Sequence, residues 1–311
     1  MGLVLVIGGL VLVGFPGLLR RPGRSLEPAE WARLCLVALG GGAVLVEAGL
    51  VLLAVPTVLG AVGLPDSAVV CRRMLGGFAP MGGLGWLLVG AAVALPARAG
   101  WRSMSVRRSG RAMVIETWVG EHHRVGDHEL VVMPCAEMVA CSVEGPPAQG
   151  VISRGLVAAL SDSELAGVVG HERAHLNHRH QRLLRLGAAI EGSLGFLPWA
   201  QSSASALRTV LERWADEEAA GRGAPQRAAL RAALLRVADV QLRPGVAGIS
   251  RPVSLVERLN ALGAAPEAPG LGRRVFMYLP GAALAALVVG VAAQWAQTIG
   301  PACLHAGGCI G

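Results

Sequence analysis

Four apolar stretches punctuate this chain and separate membrane-like ends from a more polar middle. Leu3 to Leu19 carries no charge, and about Leu34 to Ala61, Leu75 to Leu95 and Val275 to Trp295 follow it. Each holds at least the roughly 17 residues a helix needs to cross a hydrocarbon core. The pattern predicts three membrane helices with short loops in residues 1–99, and a fourth with a short external tail in 273–311. The first run lacks the basic residues that precede a secretory signal's apolar core, and Arg20, Arg21 and Arg24 come after it. That order predicts a retained helix with its N-terminus outside.

The middle, residues 100–272, reads as a separate α+β domain. His128–Met133, Val139–Val143 and Gly150–Ser153 are short strand-like runs bounded by turn residues. Gly155 to Leu160 leads into a helix whose start is marked by the capping box Ser161-Asp-Ser-Glu164, with Leu165, Val168 and Val169 on its buried face. A second helix is carried by Leu207, Val210, Leu211 and Trp214 and ends near Gly221; a third runs from Pro225 to Leu242. Gly- and Pro-rich linkers fall at 243–252 and 264–272. Leu184 to Ala200 is apolar, but it contains Arg185 and Glu191. An out-and-back membrane hairpin needs roughly 40 helical residues, so this stretch is expected at an interface rather than across the bilayer.

Composition and charge say where these elements sit. With 311 residues, 53% hydrophobic content and a mean hydropathy of +0.53, the chain is too apolar for an ordinary soluble domain. There is no lysine, and the net charge of +7 is spread over membrane flanks and helices, with no basic stripe interleaved with aromatics. No nucleic-acid partner is expected. Arg20, Arg21, Arg24 and Arg33, then Arg98, Arg102, Arg107, Arg108 and Arg111, then Arg273 and Arg274, share one side if both termini are external. The excess of arginine then places the middle domain in the cytoplasm. The six cysteines form no C-x-x-C pair, which argues against a cysteine-based structural zinc; Cys303 and Cys309 in the external tail are candidates for a small disulfide. Glu47, inside the second apolar run, is expected to meet a partner on a neighbouring helix or to line an access path.

The candidate chemistry lies in two short motifs, His171-Glu-Arg-Ala-His175 and Glu212-Arg-Trp-Ala-Asp216. On a helix His171 and His175 stand one turn apart on one face, so both imidazoles reach one metal. Glu172, rotated about 100° from His171, can take a proton from a metal-bound water. Glu212 is the candidate third ligand, and Asp216, one turn on, can orient a ligand histidine through its other ring nitrogen. Three protein ligands leave a zinc position open, where water has a pKa near about 7. His178 and His180 read as exposed or structural. His178 is the reserve choice for third ligand, and His178 or Arg231 for stabilising an oxyanion.

These two motifs resemble the HExxH…ExxAD pattern of membrane gluzincin peptidases: HtpX-type proteases, CAAX-prenyl proteases and BlaR/MecR-type antirepressor peptidases. Downstream, Arg251-Pro-Val-Ser-Leu-Val-Glu-Arg258-Leu is similar to the "HP…ER(I/L)" segment of HtpX-type enzymes, with Arg251 in place of the histidine. The resemblance runs over roughly residues 128 to 263. It implies one Zn²⁺ per chain on His171, His175 and Glu212, with Glu172 as catalytic base and Asp216 behind the ligands. The compact gap between motifs, with three preceding helices and one following, favours the BlaR-like arrangement without its β-lactam sensor domain. The expected fold is therefore a multipass α-helical membrane protein with a zincin-like α+β metallopeptidase domain. The expected function is a zinc endopeptidase at the cytoplasmic membrane face, cleaving a protein or peptide. A cytoplasmic winged-helix repressor is one candidate substrate, and membrane proteins cleaved in HtpX-type quality control are the alternative. A non-catalytic zinc scaffold or a transporter is the competing class. An extended substrate is expected to add to an edge of the sheet, at Gly150–Ser153 or Val139–Val143.

Overall fold

The computed structural model describes residues 1–18, 27–75, 77, 80, 82–116, 120–125, 127–143, 148–221, 223–241 and 252–264, with isolated positions between 278 and 293. The fourth expected membrane helix, the linkers and the Cys303/Cys309 tail lie largely or wholly outside these residues.

Helices α1 (Gly2–Leu18) and α2 (Pro28–Ala61) pack antiparallel. Glycines set how closely: a Cβ on Gly9 would stand 2.5 Å from the Gly42 carbonyl oxygen, and one on Gly49 would stand 2.6 Å from that of Gly2. Backbone-to-backbone contact of this kind is how helices associate where surrounding side chains and solvent are equally apolar. After α2 the chain makes a short amphipathic helix, α3 (Pro65–Met74), before α4 (Gly83–Glu116). Gly77 and Gly82 have φ of 74° and 73°, a conformation no helix can continue through. The expected third span therefore starts at Gly83 rather than Leu75. Arg98, Arg102, Arg107 and Arg108 sit on the same unbroken helix, not on a segment after it, and the expected boundary at residue 99 falls inside α4. Among the described residues two helices, Pro28–Ala61 and Gly83–Arg108, are long and apolar enough to cross a membrane; α1 is apolar but shorter, at 17 residues.

The sheet comprises β1 (Glu121–Val125), β2 (His128–Met133), β3 (Ala140–Val143) and β4 (Gln149–Ser153), in the order β1-β2-β4-β3. β1 pairs antiparallel with β2, β2 parallel with β4, and β4 antiparallel with β3. β4 is thus interior and buried along its whole length, which corrects the expectation that Gly150–Ser153 offers a free edge. β3 is the edge nearest the helices. Val139 and Ser153 face each other through a Ser153 N–H to Val139 carbonyl bond of 3.0 Å. Hydrogen-bonded and open pairs alternate along an antiparallel ladder, so Ala140 and Ser142, opposite Ile152 and Gly150, turn their N–H and C=O groups outward.

Among the described residues up to 264, six helices follow: α5 (Arg154–Ala159), α6 (Asp162–Asn177), α7 (His180–Leu194), α8 (Pro198–Ala220), α9 (Ala224–Gln241) and α10 (Pro252–Leu262). The capping box opens α6 as the spacing requires: Ser161 Oγ accepts from the Glu164 N–H, and Glu164 Oε2 accepts from the Ser161 N–H at 2.8 Å. Ile152, Leu156 and Val168 close a core between sheet and α6. A larger core joins Trp31, Cys35 and Leu39 of α2 to Ile190 and Leu194 of α7 and to Leu207 and Leu211 of α8. The last two are fully buried, each worth about 1.5–3 kcal/mol. Ser203 Oγ of α8 accepts from the Gly17 N–H at 2.8 Å. The apolar helices and the lobe carrying the two motifs therefore form one packed unit. Leu184 to Ala200 is α7, its turn and the start of α8, laid against α1, α2 and α4.

Candidate metal centre

Two helices bring the motif residues together. His171, Glu172 and His175 lie in the last turns of α6, all buried, while Glu212 and Asp216 lie one turn apart on α8, which packs across it. His171 Nε2 and His175 Nε2 are 3.1 Å apart. Glu212 Oε2 is 3.6 Å from the first and Oε1 is 3.5 Å from the second. A tetrahedral zinc with bonds of about 2.0–2.1 Å needs donors about 3.3–3.4 Å apart. The triangle of the two nitrogens and the nearer carboxylate oxygen to each is within about 0.3 Å of that size, and this borderline donor set is one that suits zinc. The residues present fit the ion.

The next shell aims the donors. Asp216 Oδ1 stands 2.9 Å from His171 Nδ1, where a carboxylate favours the proton on that nitrogen and leaves Nε2 for a metal. Behind Asp216 lies a residue whose role the sequence did not disclose. Arg258 of α10 is buried and forks onto Asp216, Nε to Oδ2 at 2.7 Å and Nη2 to Oδ1 at 2.8 Å, while its Nη1 meets Glu212 Oε2 at 3.0 Å. One guanidinium therefore ties the third ligand to the orienting carboxylate. Its only sequence signal is its place in the segment similar to the HtpX-type "ER".

Of the exposed or structural roles expected for His180, the structure shows the structural one. It is fully buried, with Nδ1 2.9 Å from His175 Nδ1. Arg179 takes the left-handed conformation, φ 51° and ψ 43°, and this kink between α6 and α7 turns His180 back onto the site. When His175 presents Nε2 to a metal, its Nδ1 carries the proton and donates to His180. His178 does not join the donors: it stacks on Trp214 with ring centroids 4.3 Å apart and pairs with Glu218. Arg231 is exposed beside Gly263.

The electrostatics match these contacts. Burial alone disfavours charge on His171, but Asp216 and Glu212 outweigh it and lift the imidazole to about 10. Burial opposes ionisation of Glu212 and Asp216 too, yet His171 and Arg258 hold both below the usual carboxylate range. Glu172 has weaker compensation. Burial pushes its carboxyl up to about 7, against the pull of His171, Arg258 and Ser142. A carboxyl poised there both takes and returns a proton at neutral pH. Around it stand β3 and β4: Ser142 offers it a hydrogen bond, and a Cβ on Gly150 would lie 3.9 Å from its own Cβ.

Residues 142–252, from β3 to the start of α10, match Peptidase family M48. A stretch of 46 residues is 37% identical to a protease HtpX homolog from Acidiphilium cryptum (strain JF-5), covering 15% of this chain and 16% of that protein. No solved structure matches. The matched family is one of peptidases, and its segment contains every residue of the donor triangle.

Proposed function

We propose that this chain is a zinc-dependent endopeptidase that works beside a membrane. The observation that carries the reading is the tetrahedron-sized triangle of His171, His175 and Glu212 with a near-neutral Glu172 next to it. Bound there, zinc supplies Lewis acidity that activates water and polarises a carbonyl. Glu172 takes the proton from the attacking water and hands it to the leaving amine. Asp216, His180 and Arg258 hold the ligand side chains in place. The outward N–H and C=O of Ala140 and the N–H of Ser142 offer an extended peptide main-chain bonds beside Glu172. The Ser142 carbonyl already accepts from Gln181 Nε2 at 3.3 Å.

The apolar helices put this site near a bilayer. Phe196 and Trp199, in and just after the α7–α8 turn, are 67% and 42% exposed, as aromatic anchors at a membrane surface are. From His180 at the site to Gly192 near that turn, α7 spans only about 18 Å. So short a reach favours a substrate segment emerging from the membrane, as in the quality-control alternative, over a freely diffusing repressor. The arginines of α4 lie on the same side as the lobe, which by charge asymmetry is the cytoplasm. The test is cleavage by the purified full chain of a single-span protein with an unstructured juxtamembrane segment. The wild type cuts it, and both chelation and Glu172→Gln abolish cutting. Undiminished cleavage by Glu172→Gln would remove the assigned base.

A further inference from the structure

Between α4 and α7 the surface opens into a groove of about 720 Å³, lined among others by Arg98, Trp101, Arg102, Glu191 and Phe196. Its floor is Gly192. A Cβ there would stand 2.7 Å from Arg102 Cγ and 2.8 Å from the Arg98 carbonyl oxygen, so glycine lets the two helices touch. Glu191 is already engaged by Arg208 at 2.7 Å. Arg98 spends only its Nε, on the Gly192 carbonyl at 3.1 Å. Among the described residues no carboxylate pairs with Arg98 or Arg102. The groove therefore presents two guanidiniums one helical turn apart, flanked by Trp101 at 65% and Phe196 at 67% exposure. Cations framed by bare aromatic rings suit a ligand with an anionic head and an apolar body.

A second, independent observation sets the height of this groove. From Gly83 to Ala97 α4 has no charge, and about 20 helical residues span a hydrocarbon core of about 30 Å. Counting from Gly83, that length ends at Arg102, which stands at the level of lipid headgroups, and Arg98, one turn or about 6 Å below, reaches the same level through its long side chain.

We propose that the α4–α7 groove is a binding site for an anionic glycerophospholipid, its phosphate held by Arg98 and Arg102 and its glycerol and upper acyl region against Trp101 and Phe196. The inference rests on the membrane reading above. A lipid seated there joins α4 to α7, whose first residue, His180, touches the ligand His175. It therefore fixes how the metal-binding lobe stands on the bilayer.

The test uses the full chain in detergent, delipidated and offered equal amounts of dioleoylphosphatidylglycerol and dioleoylphosphatidylcholine, with bound lipid read by native mass spectrometry. The wild type retains phosphatidylglycerol with at least about tenfold preference, since each basic residue near an anionic headgroup contributes several-fold. The variant R98Q/R102Q loses that preference, whereas R107Q/R108Q, which removes as much charge from the same helix outside the groove, keeps it. Equal loss in both variants, or unchanged preference in R98Q/R102Q, overturns the proposal. So does displacement of the lipid by equimolar inorganic phosphate, which would make this a free-phosphate site. A measurement without variants guards against misfolding: brominated phosphatidylglycerol must quench wild-type tryptophan emission more than brominated phosphatidylcholine, and equal quenching counts against the site. Extraction of the chain from membranes by alkaline carbonate would overturn the membrane reading and this proposal together. A chain that resists extraction but shows no lipid preference overturns the proposal alone.

Discussion

Replacing Arg258 with Met tests how the candidate centre is braced. The substitution keeps most of the side-chain volume and removes the charge. It deletes three charge-assisted contacts, of 2.7, 2.8 and 3.0 Å, from a guanidinium that is 6% exposed. Asp216, 2% exposed, keeps its contact with the His171 ring, which is neutral when its Nε2 serves a metal, and Glu212 loses its cationic neighbour. Breaking a buried ion pair from one side costs about 3–5 kcal/mol. The surviving His171 contact offsets part of this, so we expect the low end, about 3 kcal/mol. In a cooperative unit of roughly 150–250 residues that lowers Tm by about 6–12 °C. The assay is thermal unfolding of the detergent-solubilised chain at fixed zinc and pH. Arg258→Lys should fall between, because an ammonium cannot fork onto both carboxylate oxygens. Adding Asp216→Asn to Arg258→Met should recover part of the loss by removing the orphaned charge. A Tm for Arg258→Met within about 1 °C of wild type, against the loss expected for a buried pair, refutes the bracing argument.

Two other outcomes follow from the geometry. Ala140→Pro removes an outward N–H of β3 without touching its bonds to β4, so peptide cleavage should drop while metal content stays constant; normal cleavage would mean that β3 does not hold the substrate. Glu164 is held below the usual carboxylate range, first by the Ser161 N–H and then by Arg236, so its contribution to stability is present above its unfolded pKa and is lost as pH falls through the lower folded value. Glu164→Gln should therefore lower Tm at neutral pH and flatten its decline in acid; parallel acid limbs in the two proteins would contradict this.

What could be read from the chain alone was whatever depends on local spacing. The capping box at Ser161, the one-turn separation of His171 and His175, and that of Glu212 and Asp216 all express helix geometry. The structure shows those helices in place. The three strand-like runs also reappear as β2, β3 and β4. Features set by distant residues were hidden. β1, Glu-His-His-Arg-Val, is polar because it is an exposed outer strand, and so carries no alternation to detect. The interior place of β4 depends on its parallel pairing with β2 across an intervening strand. Arg258 reaches Asp216 across 42 residues, and nothing in a single amphipathic helix marks which charge turns inward. His180 is directed by one left-handed residue, Arg179, of a type that rarely adopts that conformation. The third apolar run starts too early in the sequence reading because it is uncharged throughout, although Gly76-Gly77, Pro80 and Gly82-Gly83 mark the break that the backbone makes at Gly77 and Gly82.

The central claim is that His171, His175 and Glu212 together hold a catalytic zinc, and metal analysis of the purified full chain tests it most directly. Wild type and Glu172→Gln should each carry one zinc per chain by elemental mass spectrometry after removal of loosely bound ions, because Glu172 is not a ligand. Glu212→Ala and His175→Ala should be largely empty under the same conditions, and Asp216→Ala should bind about 10- to 100-fold more weakly. Stoichiometric zinc in both Glu212→Ala and His175→Ala, or none in the wild type, would contradict the account.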